Sequence, residues 1–158
     1  MNKRDAEAQS AELLITREFN APRDLVWSVW TDPKHAMQWW GPRGFTTPLY
    51  ESDLRPGGTV RVHMRAPDGT IYPSVGTFEE VVAPERLVTF SVVDIGGAVA
   101  FEVRVTVTFE EHDRTTTVTV HQAFSKISAA GSNAISGANQ GWNQQLDRLE
   151  VYLRELDR

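Results

Sequence analysis

The sequence predicts an α+β domain in which seven antiparallel strands curve around one long C-terminal helix, with two short helices set after the first strand. Three observations carry this. Six consecutive segments after residue 45 alternate apolar and polar residues with a period of two, separated by turn residues. Trp142, Leu146, Leu149, Leu153 and Leu156 recur at helical spacing near the end of the chain. Ahead of the strand-rich region, Val26, Val29 and Trp30 fall at i, i+3 and i+4 in a run preceded by proline.

Taken in order, residues 1–11 read as a flexible tail and residues 12–158 as one domain. In "ELLITREF" Leu13, Ile15 and Phe19 share one face of a strand. Asn20 is a candidate cap for the helix of "APRDLVWSVWTD", with Pro22 near its first turn. Asp32-Pro33 stops that helix and starts a second one, carrying Ala36, Met37, Trp39 and Trp40, which runs into Gly41-Pro42. Adjacent rings on a helix end point about 100° apart. One tryptophan is therefore expected to pack on the first helix and the other to reach a cavity mouth.

Strands are expected near 45–54, 58–66, 70–82, 86–94, 99–110 and 115–125. Pro56-Gly57-Gly58, Asp68-Gly69, Ala83-Pro84 and Gly96-Gly97 mark turns between them. In "VAFEVRVTVTFEE" Val99, Phe101, Val103, Val105, Val107 and Phe109 point inward, and Glu102, Arg104, Thr106 and Thr108 outward. The closing helix is expected from about 132–137 to Leu156, with Tyr152 flanking its stripe. Gly137 and Gly141 lie at i, i+4 either within that helix or, for Gly137, just before it. A sheet of this size twists, so a straight helix leaves part of the hollow unfilled.

The 158 residues are 41% apolar and 23% charged, ordinary for one globular domain. A formal net charge of −5, without a dense basic cluster, argues against nucleic acid or an anionic membrane as partner. The absence of cysteine excludes disulfides, thiolate metal sites and cysteine nucleophiles. The polar start, "MNKRDAEAQSAE", is unlike a signal peptide, and no apolar run approaches the roughly 20 residues of a membrane helix. The expected compartment is the cytoplasm.

The segments "FNAPRDLVWSVWTDPKHAMQWWGPRGF", "DLRPGGTVRVHMRAPDGT", "GTFEEVVAPERLVTFS" and "GWNQQLDRLEVYL" occur in order at sensible spacing. Over residues 12–156 the chain resembles the helix-grip proteins of the START-like (Bet v 1-like, SRPBCC) superfamily. Within it, the chain is similar to the family named for the ATPase activator of the ninety-kilodalton heat-shock chaperone, as a single-domain member. The resemblance implies a deep, mostly apolar cavity between sheet and long helix, since superfamily members bind lipids, sterols, polyketides and phenolics. A cochaperone-type interaction module and a cyclase- or aromatase-like enzyme are the alternatives it implies.

The residues themselves give no catalytic constellation. The histidines lack metal-ligand spacing, and G-x-S-x-G, phosphate-binding and dinucleotide motifs are absent. His112 reads as a turn residue, His63 and His121 as outer-face residues, and His35 as a surface residue or one at a cavity mouth. Sequential carboxylates such as Glu79-Glu80 and Glu110-Glu111 point to opposite faces of a strand. No metal and no cofactor is expected. The expected cavity lining is Trp39, Trp40, Phe45, Tyr72, Phe78, Phe90, Phe101, Gln122, Trp142, Gln145 and Leu146, with Gly76, Val88 and Val92 also inward. Gln122 interrupts an apolar row of Val118, Val120 and Phe124. It either reaches solvent or backbone at the sheet end, or orients a ligand together with Gln145. Dry void costs about 24 cal/mol per Å³, so a ~300 Å³ pocket would cost ~7 kcal/mol of a total near 5–15 kcal/mol. The cavity is therefore expected to be small, wet or occupied. The expected partner is a small apolar or aromatic molecule, with a chaperone or a second copy of the chain as further candidates.

Overall fold

The computed structural model describes residues 10–156. The tail expected over residues 1–11 falls largely on residues 1–9, outside the described residues, and the first strand already begins at Ser10. The order is β1 (Ser10–Phe19), α1 (Arg23–Thr31), α2 (Pro33–Trp39), β2 (Thr46–Ser52), β3 (Thr59–Arg65), β4 (Ile71–Val82), β5 (Arg86–Ile95), β6 (Ala98–His112), β7 (Thr115–Ser125), α3 (Ala129–Ser136) and α4 (Ala138–Leu156). All seven strands join one antiparallel sheet in the order β1-β7-β6-β5-β4-β3-β2. After β1 the chain crosses through α1 and α2 to the far edge, then returns strand by strand until β7 pairs with β1.

Local chemistry explains the punctuation. Asp32 caps α2 by accepting a hydrogen bond from the Lys34 N–H (3.0 Å), with Pro33 at the first helical position. The cap of α1 is Pro22 and not Asn20, with no side-chain hydrogen bond, and Asp24 offers a carboxylate to the first turn. Gly96 and Gly97 (φ +65° and +84°) join β5 to β6 as a two-residue hairpin, whose turn needs positive φ at both positions. No helix among the described residues is long and apolar enough to cross a membrane.

Two local features depart from simple periodicity. The pairing of β5 with β6 steps from Val93–Phe101 to Asp94–Val99, leaving Ala100 as the extra residue of a bulge. The bulge turns Val99 out to 48% exposure, against its expected inward position, and buries Ala100. The Ala100 carbonyl accepts the Ser128 N–H (2.8 Å), and Ser128 caps α3 by accepting the Gly131 N–H at 3.0 Å. The helical region therefore starts earlier than expected, as a separate helix α3 that ends at Gly137. Leu156, expected on the buried stripe, is 40% exposed at the last turn.

α3 seats directly on the bulge: a Cβ at Gly131 would run into the Ala100 carbonyl oxygen. Because that atom belongs to the backbone, no rotamer change relieves the clash. Gly131→Ala is expected to cost about 1–3 kcal/mol by overpacking, read as a lowered urea midpoint. An unchanged midpoint would show that α3 is not held against the bulge.

The core divides in two. A larger cluster joins Ile15 and Phe19 of β1, Val26, Val29 and Trp30 of α1, Trp39 of α2, Phe109 and Val118 of the sheet, and Leu146, Leu149 and Leu153 of α4. A smaller one joins Ala100, Phe101, Val103 and Phe124, with Ile127, Ile135 and Ala138 packed on it from the α3 side. Each fully buried aliphatic or aromatic side chain contributes roughly 1.5–3 kcal/mol, so both clusters are stable ends with a gap between them.

Candidate functional site

One end of the gap is a tryptophan cluster built on α1. Trp30 is its hub: its ring lies 5.0 Å from Trp39, 6.0 Å from Trp40 and 5.6 Å from Phe109, and stacks on Trp142 at 6.1 Å with planes 13° apart. Trp39 is fully buried (0% exposed), and its indole N–H donates to the Val29 carbonyl at 3.0 Å. Trp40 is half-buried and stands T-shaped to Tyr50 (5.7 Å) and Trp142 (5.9 Å). Such pairs add about 0.5–1.5 kcal/mol beyond area burial. Trp39 thus belongs to the core and Trp40 to the cavity wall.

The cavity has a volume of about 280 Å³. Trp30, Trp40, Tyr50 and Trp142 form its aromatic side. Its floor is the inner face of the sheet: Val60 and Val62 of β3, Tyr72, Ser74 and Phe78 of β4, Leu87, Thr89, Ser91 and Val93 of β5, Phe101 to Val107 at alternate positions of β6, and Gln122 of β7. Pro42, Met64, Tyr72 and Trp142 are half-buried lining residues. Among the described residues, no charged side chain lines it.

Polar groups are few and placed unevenly. Ser74, Thr89 and Ser91 put hydroxyls on the floor. Gln145 is 6% exposed, and its Oε1 accepts the Gly41 N–H at 2.9 Å, which fixes the orientation of the amide. Its Nε2 then has no hydrogen-bond partner among the described residues. Gln122 is 8% exposed, and its Oε1 also lacks a partner. A buried polar atom left unpaired costs about 1–3 kcal/mol.

The W-W-G-P turn is held by α4. Gln145 and Gln144 accept the backbone N–H groups of Gly41 and Arg43 (2.9 and 3.1 Å). Arg148 Nη1 donates toward the carbonyls of Trp40, Gly41, Pro42 and Phe45 at 3.0, 2.9, 3.2 and 3.3 Å. Burial lowers the Arg148 pKa from its ordinary value. Nearby, His35 Nδ1 and the Tyr152 hydroxyl lie 2.6 Å apart, tying α2 to α4. Burial, followed by the charges of Asp32 and Glu155, raises the Tyr152 pKa. His35 therefore sits at the α2–α4 junction and is not among the lining residues. Among the described residues, no three His, Asp or Glu side chains converge as a metal site would require.

Of the expected lining residues, Trp40, Tyr72, Phe78, Phe101, Gln122, Trp142 and Gln145 meet at the cavity. Trp39 and Leu146 do not reach it; both are 0% exposed in the main core. Phe45 precedes β2 in the turn and leans on Tyr72, ring centroids 6.2 Å apart. A register shift between Thr46 and Leu49 then sets Tyr50 on the cavity side. Phe90 lies on the opposite face of the sheet. β4 pairs Phe78 with Thr89 and Gly76 with Ser91, so Thr89, Ser91 and Val93 share the inner face, and Val88, Phe90 and Val92 the outer one. There Phe90 lies under the Arg104 guanidinium (5.3 Å), which pairs with Glu79 at 2.6 and 3.1 Å. Trp30 and Tyr50 are the aromatic lining residues that sequence reasoning missed, beside Thr89, Ser91 and Val93 of β5. Trp30 had a legible signal, its place on the apolar stripe of α1.

Tyr50 has a further consequence. It lines the cavity, and burial pushes the phenol well above its ordinary value of 10.0. The unfolded chain loses this proton near pH 10 while the folded chain keeps it. Stability is then intact below pH 10 and falls above it, by at most ~1.4 kcal/mol per pH unit. Tyr50→Phe is expected to flatten that alkaline slope in urea titrations run from about pH 9 to about pH 11. An identical slope in the variant would sink this assignment.

The geometry of a sheet gripping a long helix has counterparts. A family model described as "Activator of Hsp90 ATPase homolog 1-like protein" matches residues 20–154. The chain belongs to this family. It is a START-like, helix-grip member of it. The solution structure of a protein from Arthrobacter aurescens is 28% identical with a TM-score of 0.79, over 96% of this chain and 89% of that one. A crystal structure from Mycobacterium smegmatis is 26% identical with a TM-score of 0.73, over 96% and 94%. One from Nitrosomonas europaea is 25% identical with a TM-score of 0.78, over 92% and 96%. No match was found among curated proteins.

Proposed function

We propose that this family member binds a small hydrophobic or aromatic molecule in the cavity between the sheet and α4. The observation that carries the reading is the pairing of a largely apolar cavity with two buried amides whose Gln122 Oε1 and Gln145 Nε2 lack partners. Ligand sites characteristically combine apolar walls with a few oriented polar groups. The titratable groups on the lining are the phenols of Tyr50 and Tyr72, which favours binding over acid–base chemistry.

Trp30, Trp40 and Trp142 in the wall make the protein its own reporter. A fluorescence screen against lipids, flavonoid-like phenolics and polyketides is expected to give saturable quenching by at least one class. That quenching should weaken in Trp40→Ala. Unsaturable quenching throughout, with a crystal structure showing side chains filling the space beneath α4, would overturn the reading.

A further inference from the structure

From the same cavity, and resting on the reading just given, we infer that the ligand is a neutral molecule of about two fused rings that carries both a hydrogen-bond donor and an acceptor. Three features of the site set these terms.

Size comes first. An engineered cavity of about 150 Å³ takes benzene. A volume of about 280 Å³ is close to twice that, so it suits a bicyclic molecule.

Charge comes second. None of the lining residues is charged. Arg148, which holds the W-W-G-P turn, spends its Nη1 on four backbone carbonyls. An ionised ligand would enter without a counter-charge, and a buried unpaired charge is strongly disfavoured. A neutral ligand meets no such penalty.

Polarity comes third. Gln145 is held by the Gly41 N–H, so the atom left over is a donor, Nε2. The atom left over on Gln122 is an acceptor, Oε1. The last torsion of a glutamine turns through a broad range, so Gln122 can meet a donor on the ligand without a rotamer penalty. With each amide turned toward the cavity, a ligand with an N–H or O–H and a carbonyl or ring nitrogen offers a partner to both atoms. A hydrocarbon of equal size satisfies neither.

The test uses four two-ring probes on the full chain, read by tryptophan quenching and checked by calorimetry. 2-Quinolone and 7-hydroxyquinoline carry a donor and an acceptor at two different spacings. Naphthalene carries neither, and 2-naphthoate is ionised. At least one of the first two is expected to bind about tenfold tighter than naphthalene and than 2-naphthoate. Gln122→Leu should remove about tenfold of that preference, and Gln122→Met serves if the leucine variant folds poorly. Naphthalene binding as tightly as both polar probes overturns the donor–acceptor inference and leaves the apolar cavity reading standing. Equal binding of 2-naphthoate overturns neutrality. If none of the four binds, this inference falls, and the wider screen of lipids, phenolics and polyketides decides whether the cavity reading stands.

Discussion

Trp39→Ala is expected to lower the stability of the protein by about 3–5 kcal/mol, the cost of emptying a large aromatic from a close-packed site. The ring is fully buried against Trp30, and its N–H is committed to the Val29 carbonyl. Truncation leaves a void bounded by α1 and α2 and strips that carbonyl of the indole N–H, which Pro33, four residues on, has no N–H to replace. Whole domains are stable by only ~5–15 kcal/mol, so the variant should populate unfolded chain at moderate temperature. Trp40→Ala sets the contrast. Its half-buried ring borders space that already exists, so its loss enlarges the cavity more than it opens the core. Urea midpoints for the two variants check this: equal losses would refute the assignment of one ring to the core and the other to the wall.

The sequence could not make that assignment, for a definite reason. Adjacent positions on a helix end differ by about 100°, and both residues are tryptophan, so composition cannot say which direction is inward. The strands were more legible. From Phe101 to Phe109 of β6 apolar and polar residues alternate, and the inward set there and from Val118 to Phe124 of β7 is the expected one. β5 failed because "LVTFSVV" is apolar on both faces. Pattern alone favours Phe90 as the inward residue, whereas register with β4 decides the matter and puts Thr89, Ser91 and Val93 inside. The same one-residue logic explains the other misses. Bulges at Ala100 and before Leu49 shift parity within a strand, moving Val99 outward and bringing Tyr50 to the cavity. Gln122 and Gln145 were legible because each is a polar residue in an otherwise apolar row. The roles of Gln144 and Arg148 were not, since a polar residue on a helix declares nothing about which backbone it will meet.

Arg148→Met is the second large effect, expected at about 2–3 kcal/mol. Methionine keeps much of the side-chain volume and its apolar stem contacts, so the loss isolates the guanidinium. Four carbonyls converge on one nitrogen that carries two hydrogens, so the bonds are shared and the cost is less than the sum of four. What decides the magnitude is where those carbonyls are. Trp40 to Pro42 follow the C-terminal end of α2, where helix carbonyls run out of intrahelical partners and a cation is favoured. The Thr47 hydroxyl also donates to the Trp40 carbonyl and the Phe45 N–H to the Pro42 carbonyl (both 3.0 Å), so those two keep a partner in the variant, while Gly41 has no such second donor among the described hydrogen bonds. With the guanidinium gone, the turn is expected to loosen from α4. The Gly41 N–H would then be free to leave Gln145, and Trp40 would lose its fixed position in the wall. Arg148→Met should therefore change the Trp40 contribution to fluorescence as well as the urea midpoint. Arg148→Lys should recover only part of either, because an ammonium cannot reproduce the planar fork of the guanidinium. A variant that loses stability without disturbing Trp40 would show that Arg148 braces the helix but does not set the cavity wall.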